Sequence, residues 1–383
     1  MKPILSLLLL IISTQSWGYA NFIGHGYTSC LNCHYNPFGG GQLNDYGRAV
    51  SATAISSRIF LPDSVSEDQL AYSSGFLFRK PKQEVVRLQA NYRGFSMYSN
   101  PNSKVESKRW MTMQSDVRAT VQLGKKKEWI ISGEYGRAPI SDFPLQEGMK
   151  EKDHYSRSYF AGYRPSPNIG VYVGLMDKVY GLRLVEHIAF SRQNPKVSQN
   201  DTTHGVSTHL IKNEWELGLH GFFGHLDQEA SYRLKGASFM LERTVGGIHR
   251  IGMSALSQKN DFQRINSVAL HGKLNLKEGS ALLAEVGQTS KKFEEGANSA
   301  ETRYGLLQTY LRPWRGVYFF TNVEYQKQNI HKDDYMIRFG PGVQIFPMQR
   351  MELRADLYNT RNFSKENTRK DNWLLLLQTH FWL

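Results

Sequence analysis

Two cysteines and a histidine stand together in Ser29-Cys30-Leu31-Asn32-Cys33-His34, and these are the only cysteines among 383 residues. The Cys-x-x-Cys-His spacing suits covalent attachment of a c-type haem. Each thiol adds to one vinyl group, and the adjoining imidazole turns onto the iron. On that chemistry Cys30 and Cys33 carry the thioethers, and His34 is the proximal ligand of a single haem c. The iron then takes a sixth ligand or keeps that position open. His25 is the nearest candidate in the chain, and Met97, Met111 and Met113 lie further along. Other chemistries use the same atoms. A Cys30–Cys33 disulfide suits an oxidising compartment. A zinc site could use Cys30, Cys33, His34 and His25. A thioredoxin-like pair would need a strand-and-helix context that this stretch lacks.

The surrounding chain sets where such a site would work. Residues 1–20 read as a signal peptide: Lys2, an apolar run from Ile4 to Ile12, and small residues at Gly18 and Ala20. The apolar run is too short for a bilayer-spanning helix, and no later stretch has the length for one. Export agrees with haem attachment outside the cytoplasm. The net charge of +13 could suggest nucleic acid, but an exported chain seldom meets it. The charge suits a basic lumen, loops near anionic lipid, or an acidic partner.

From residue 84 to residue 383 the apolar pattern has period two. Met351, Leu353, Ala355 and Leu357 alternate with Glu352, Arg354, Asp356 and Tyr358. Val317, Phe319 and Val323, and again Trp215, Leu217 and Leu219, follow the same rule. Such alternation means strands with one apolar face. Short turn-like links, such as Gly124 to Lys127 and Lys277 to Gly279, alternate with longer polar connections, such as Ala138 to His154 and Lys178 to Thr203. The pattern predicts an all-β fold: a transmembrane, up-and-down antiparallel β-barrel of about 16 strands. The last strand puts Trp373, Leu375, Leu377, Thr379, Phe381 and Leu383 on one face. On strand phase, His209, His271 and His380 face the lumen near the short-turn end, which makes them further candidates for the sixth iron position.

Residues 21–83 do not alternate. Tyr35 to Arg48 is glycine-rich. Tyr46 to Ile59 and Ser64 to Phe76 read as short helices, the second capped by Asp63 or Ser64. So small a segment buries little core alone. It is expected as a short irregular and helical haem segment at the periplasmic mouth or in the lumen, acting as a plug.

The run Gly26-Tyr27-Thr28-Ser29-Cys30 through Pro37, with Gly39-Gly40-Gly41 and Tyr46-Gly47-Arg48, resembles the start of a family of porin-like proteins bearing this haem motif. The C-terminal Phe381-Trp382-Leu383 is similar to the targeting signal of outer-membrane proteins, with Leu in place of the usual final Phe. The architecture is similar to the porin parts of porin–cytochrome electron conduits. The resemblance implies a non-enzymatic protein of the outer membrane, with multihaem c-type cytochromes as electron donors or acceptors. Its expected role is electron transfer at or across that membrane. The alternative is an anion-leaning diffusion porin in which the haem segment is a plug or redox sensor. A homo-oligomer is compatible with either.

Overall fold

The computed structural model describes residues 20–79, 85–100, 107–137, 148, 154–186, 188–293, 299–364 and 370–383. The expected signal peptide lies outside the described residues, apart from Ala20. The alternating residues form one antiparallel sheet in which each strand pairs with its sequence neighbour. Two short pieces, His154–Tyr155 and Tyr159–Ser166, both pair with Trp129–Arg137 and together make one interrupted strand. The wall is therefore a closed barrel of 16 strands. Closure comes from the first strand, Val86–Asn100, pairing with the last, Lys370–Trp382, in a register running from Asn91↔Trp382 to Asn100↔Trp373. A closed ladder leaves no open edge, which is what hydrocarbon demands of a sheet.

Burial is inverted relative to a water-soluble sheet. The exposed outer face carries Val268, Leu270 and Val286, with Leu270 62% exposed and Val286 58% exposed. The buried inner face carries Gln89, Asn91, Asp116, Arg118, Glu216 and Arg250. Inside, the charges sit in pairs: Arg250 reaches Glu216 at 2.8 Å and Glu242 at 2.9 Å, and Arg338 reaches Glu324 at 2.8 Å. Buried charges tolerate such desolvation only when paired. Exposed aromatic residues mark both ends of the apolar band. Trp129 packs on Tyr163 at the short turns, with ring centroids 4.5 Å apart, and Tyr135 stacks on His154 at the long loops.

Two pieces of chain fill the lumen. The connection between the strands Ile169–Met176 and Thr203–Lys212 reads from sequence as an outward polar loop, but it folds inward. Its short helix Phe190–Gln193 is buried. Wall carboxylates hold its backbone: Glu324 accepts from the Phe190 N–H at 2.7 Å and Glu285 from the Leu182 N–H at 2.5 Å. Val179, Tyr180, Leu182 and Phe190 supply the apolar surface that rewards this inward turn. The second piece is the N-terminal segment, which is seated in the short-turn mouth.

Candidate functional site at the plugged mouth

The N-terminal segment is held by wall side chains and turns rather than by a sheet of its own. Its opening 3₁₀ turn, Ala20–His25, lies against the turn at Gly279. The Gly279 N–H donates to the Gly24 carbonyl at 2.8 Å, and a Cβ on Gly24 would stand 2.6 Å from the Gly279 carbonyl carbon. Only glycine permits that approach. Wall arginines at this end donate to plug carbonyls: Arg250 to Thr28 at 2.7 Å, Arg312 to Ala54 at 3.2 Å, Arg315 to Ser56 at 2.7 Å and Arg350 to Ser73 at 2.9 Å. Arg87 pairs with Asp45 at 2.7 Å. The helices are shorter than their sequence pattern suggests. The first is Asp45–Val50, continued by a wider turn over Ser51–Ile55. The second is Glu67–Tyr72, capped by Ser66 in a reciprocal box with Gln69. The Ser66/Gln69 pair satisfies two N–H groups, so it displaces Asp63 and Ser64 as the cap.

Cys30–Asn32 is one 3₁₀ turn, with the Ser29 hydroxyl accepting from the Leu31 N–H. The Cys33 and His34 N–H groups both return to the Cys30 carbonyl, at 3.2 and 2.9 Å. Winding the chain in this way brings residues three and four apart to one side. Asn44 fixes the turn from behind. Its amide donates to the Asn32 carbonyl at 3.1 Å and its side-chain oxygen caps the Gly47 N–H at 2.8 Å. The Asn44 N–H donates to the Cys33 carbonyl at 2.9 Å. A Cβ on Gly47 would collide with Cys33. The sequence gives no sign of these positioning roles, because they depend on two segments meeting. Asn44→Ala removes the cap, worth about 1 kcal/mol, and frees the turn. Cleavage of the plug by protease in detergent-purified protein is expected to quicken roughly fivefold.

Cys33 and His34 line a cleft closed by Phe22, Leu43, Val50, Ile55, Phe346 and Trp382. Both cysteines are free thiols. Burial pushes the Cys33 thiol up to about 12 and raises Cys30 as well. Burial, then Arg183, brings His34 down to about 3, so its imidazole is neutral at neutral pH and able to ligate a metal. The Nδ1 of His34 is buried with no hydrogen-bond partner. Cys33 and His34 face this cleft and Cys30 lies beside it, near Glu216 and Lys273; free thiols and a neutral imidazole are the groups a covalently held haem would use. A zinc centre fits less well: among the described residues no three His, Cys, Asp or Glu side chains are grouped to hold an ion.

The remaining candidates are dispersed. His25 does not line the cleft. It stands behind Phe22, edge-on at 5.8 Å, with Nε2 2.8 Å from the Tyr318 hydroxyl. His380 is bonded to Glu352 at 2.6 Å, and Glu352 itself reaches the cleft. His271 is bonded to Glu242 at 3.0 Å, and His209 lies 3.2 Å from the Tyr172 hydroxyl. Met97, Met111 and Met113 line a different cavity. Glu352, Phe346 and Trp382 were hidden in the sequence because nothing separates them from other inward residues of the wall.

No protein-family model matches the chain, and no curated relative matches it by sequence. Solved structures do match. OmpT of Vibrio cholerae, expressed in the outer membrane, aligns over 79% of this chain and 99% of its own, with a TM-score of 0.60 and 10% identity. The anion-selective porin from Comamonas acidovorans aligns over 78% and 99%, with a TM-score of 0.58 and 12% identity. The outer membrane channel DcaP of Acinetobacter baumannii aligns over 78% and 97%, with a TM-score of 0.57 and 9% identity. The fold is thus that of the porin-like outer-membrane β-barrels.

Proposed function

We propose that this chain is an outer-membrane porin-like channel protein, not an enzyme, whose periplasmic mouth is closed by residues 21–83 bearing one covalent haem c. The observation that carries the reading is the turn Cys30–Asn32, which presents Cys33 and His34 to a mostly apolar cleft inside a barrel mouth. Cys30 and Cys33 would hold the haem by thioethers and His34 would ligate the iron. Bound there, the haem would supply a one-electron couple. His25 would have to leave the Tyr318 hydroxyl to become the sixth ligand, and His380, bonded to Glu352 at the cleft, is the other candidate. The plug makes passive diffusion conditional on its position, and an anion-leaning solute preference fits the basic mouth. The Comamonas neighbour is described as anion-selective and one Vibrio neighbour as a trimer. Both properties are proposed here by likeness of fold.

Electron transfer to a multihaem cytochrome is the second reading. It is favoured by an exposed apolar patch on the plug: Ile59, Phe60, Tyr72, Leu77 and Phe78. Patches of that kind serve as partner surfaces. One haem cannot span a hydrocarbon core of about 30 Å, so a docked partner would be needed.

The test is the absorption spectrum and pyridine haemochrome of protein purified from outer membranes. Haem is expected to stay with the denatured polypeptide and to be lost in the Cys30→Ala/Cys33→Ala variant, which should still form a heat-modifiable barrel. Wild-type protein without haem, or recovered from the soluble periplasm, overturns the proposal. His25→Ala is expected to raise the high-spin fraction. An unchanged spectrum moves the sixth ligand to His380.

A further inference from the structure

The lumen face is polar along most of the wall, but it changes character at the seam where the barrel closes. Near the short turns the first, second and fifteenth wall strands point Gln89, Asn91, Arg93, Asp116, Arg118 and Asp356 inward. Towards the long loops the inward residues become Phe95, Met97, Met111, Met113, Leu374 and Leu376, all lining one cavity. The change coincides with a break in register between Arg93 and Gly94 that leaves Met113 unpaired. A bulge of this kind re-aims a side chain, and here Met113 joins the cavity lining. In the last strand Leu374 and Leu376 point in while Trp373 and Leu377 stand exposed outside. The strand is therefore apolar on both faces at this level. Neither lipid contact nor a watery lumen requires that.

The opposite side of the cavity comes from the inward loop, through Val185 and Ile188. Its floor is charged and balanced, with Arg93 and Arg354 against Glu186 and Asp356. Arg354 pairs with Asp356 at 2.8 Å and also with Glu186. The Nη1 of Arg354 remains buried without a partner, and Arg354 is itself only 6% exposed. The cavity volume is about 240 Å³. Leucine and methionine walls favour an apolar body, and methionine adapts its shape to it. An unpartnered guanidinium nitrogen favours an oxygen acceptor.

We propose that this cavity binds a small amphipathic molecule, an aromatic or aliphatic body carrying a carboxylate, with the body between the methionine wall and the inward loop and the carboxylate on Arg354. Nothing in this site uses the plug or the cysteines, so it stands apart from the haem reading. The probe is 1-naphthoate, measured by equilibrium dialysis against the full chain in lipid nanodiscs, with empty nanodiscs subtracted. One saturable site is expected. Leu376→Asn and Met111→Asn are each expected to weaken it at least tenfold while the barrel stays heat-modifiable. Leu377→Ala, on the lipid side of the same strand, leaves it unchanged. 1-Methylnaphthalene, which lacks the acceptor, binds at least tenfold more weakly. Uptake equal to that of empty nanodiscs overturns the site, as does saturable binding indifferent to both asparagine variants. Equal binding of the two naphthalenes overturns the assignment of Arg354.

Discussion

Deleting residues 21–79 is expected to raise single-channel conductance severalfold in planar bilayers and to turn the current toward anions. The first effect follows from position. The segment is bonded to the turns at Gly279 and Phe346 and to the strand ends at Arg87 and Arg250, so it lies across the short-turn mouth. The second effect follows from what the segment neutralises. Arg312, Arg315 and Arg350 spend donors on plug carbonyls, and Arg87 on Asp45. Without the plug these guanidinium groups face water at the mouth, and a ring of like charge selects its counter-ion. Reversal potentials in a salt gradient should move toward the chloride limit. Deeper in the lumen the charges are already paired, as Arg338 is with Glu324 and Arg250 with Glu216. The selectivity therefore comes from the mouth. The inward loop remains in place after the deletion, so the conductance stays below that of an empty barrel. Arg315→Ala/Arg350→Ala, which frees two of the anchors, is expected to give intermittent openings to the same level. A conductance unchanged by deletion would show that the inward loop alone closes the channel.

Leu270→Arg lowers barrel stability by about 2–4 kcal/mol, the largest loss expected for a single outward substitution. Leu270 lies midway along the strand Gln263–Lys277 and is 62% exposed. Its cross-strand neighbours are Val286 and Met253, both exposed on the same face. In water an arginine there would be harmless. In hydrocarbon it must shed its hydration, and the cost depends on depth. Leu276→Arg, on the same strand and face but beside the short turn, is expected to cost about 0–1 kcal/mol. Leu270→Ala keeps the position apolar and should cost less than the arginine. Urea unfolding followed by heat-modifiable migration in lipid vesicles reads all three. Equal effects at positions 270 and 276 would mean that the outer face does not meet a membrane.

Period-two alternation was enough to specify the wall. Met351 to Tyr358 and Trp373 to Leu383 put apolar and polar residues on opposite sides of any strand they form. Turn residues such as Glu278 and Gly279 mark where the chain reverses. Both are local properties, so they survive in one dimension. Cys30, Cys33 and His34 are local in the same way, since one turn of chain brings them close. The fate of the long connections was not local. Residues 177–202 look polar enough to sit in water. They turn inward because Glu285 and Glu324 across the lumen accept from their backbone N–H groups. His25 is close to Cys30 in sequence, yet Tyr318 holds it behind Phe22, while Glu352 and Trp382, more than three hundred residues away, reach the cleft. The apolar seam at Met111, Met113 and Leu376 is of the same kind. A strand apolar on both faces can be read, but what its inner face meets is decided only when the barrel closes and the loop folds across it. Alternation and spacing are short-range and physical from the outset, whereas contacts across a lumen exist only once distant strands have been brought into register.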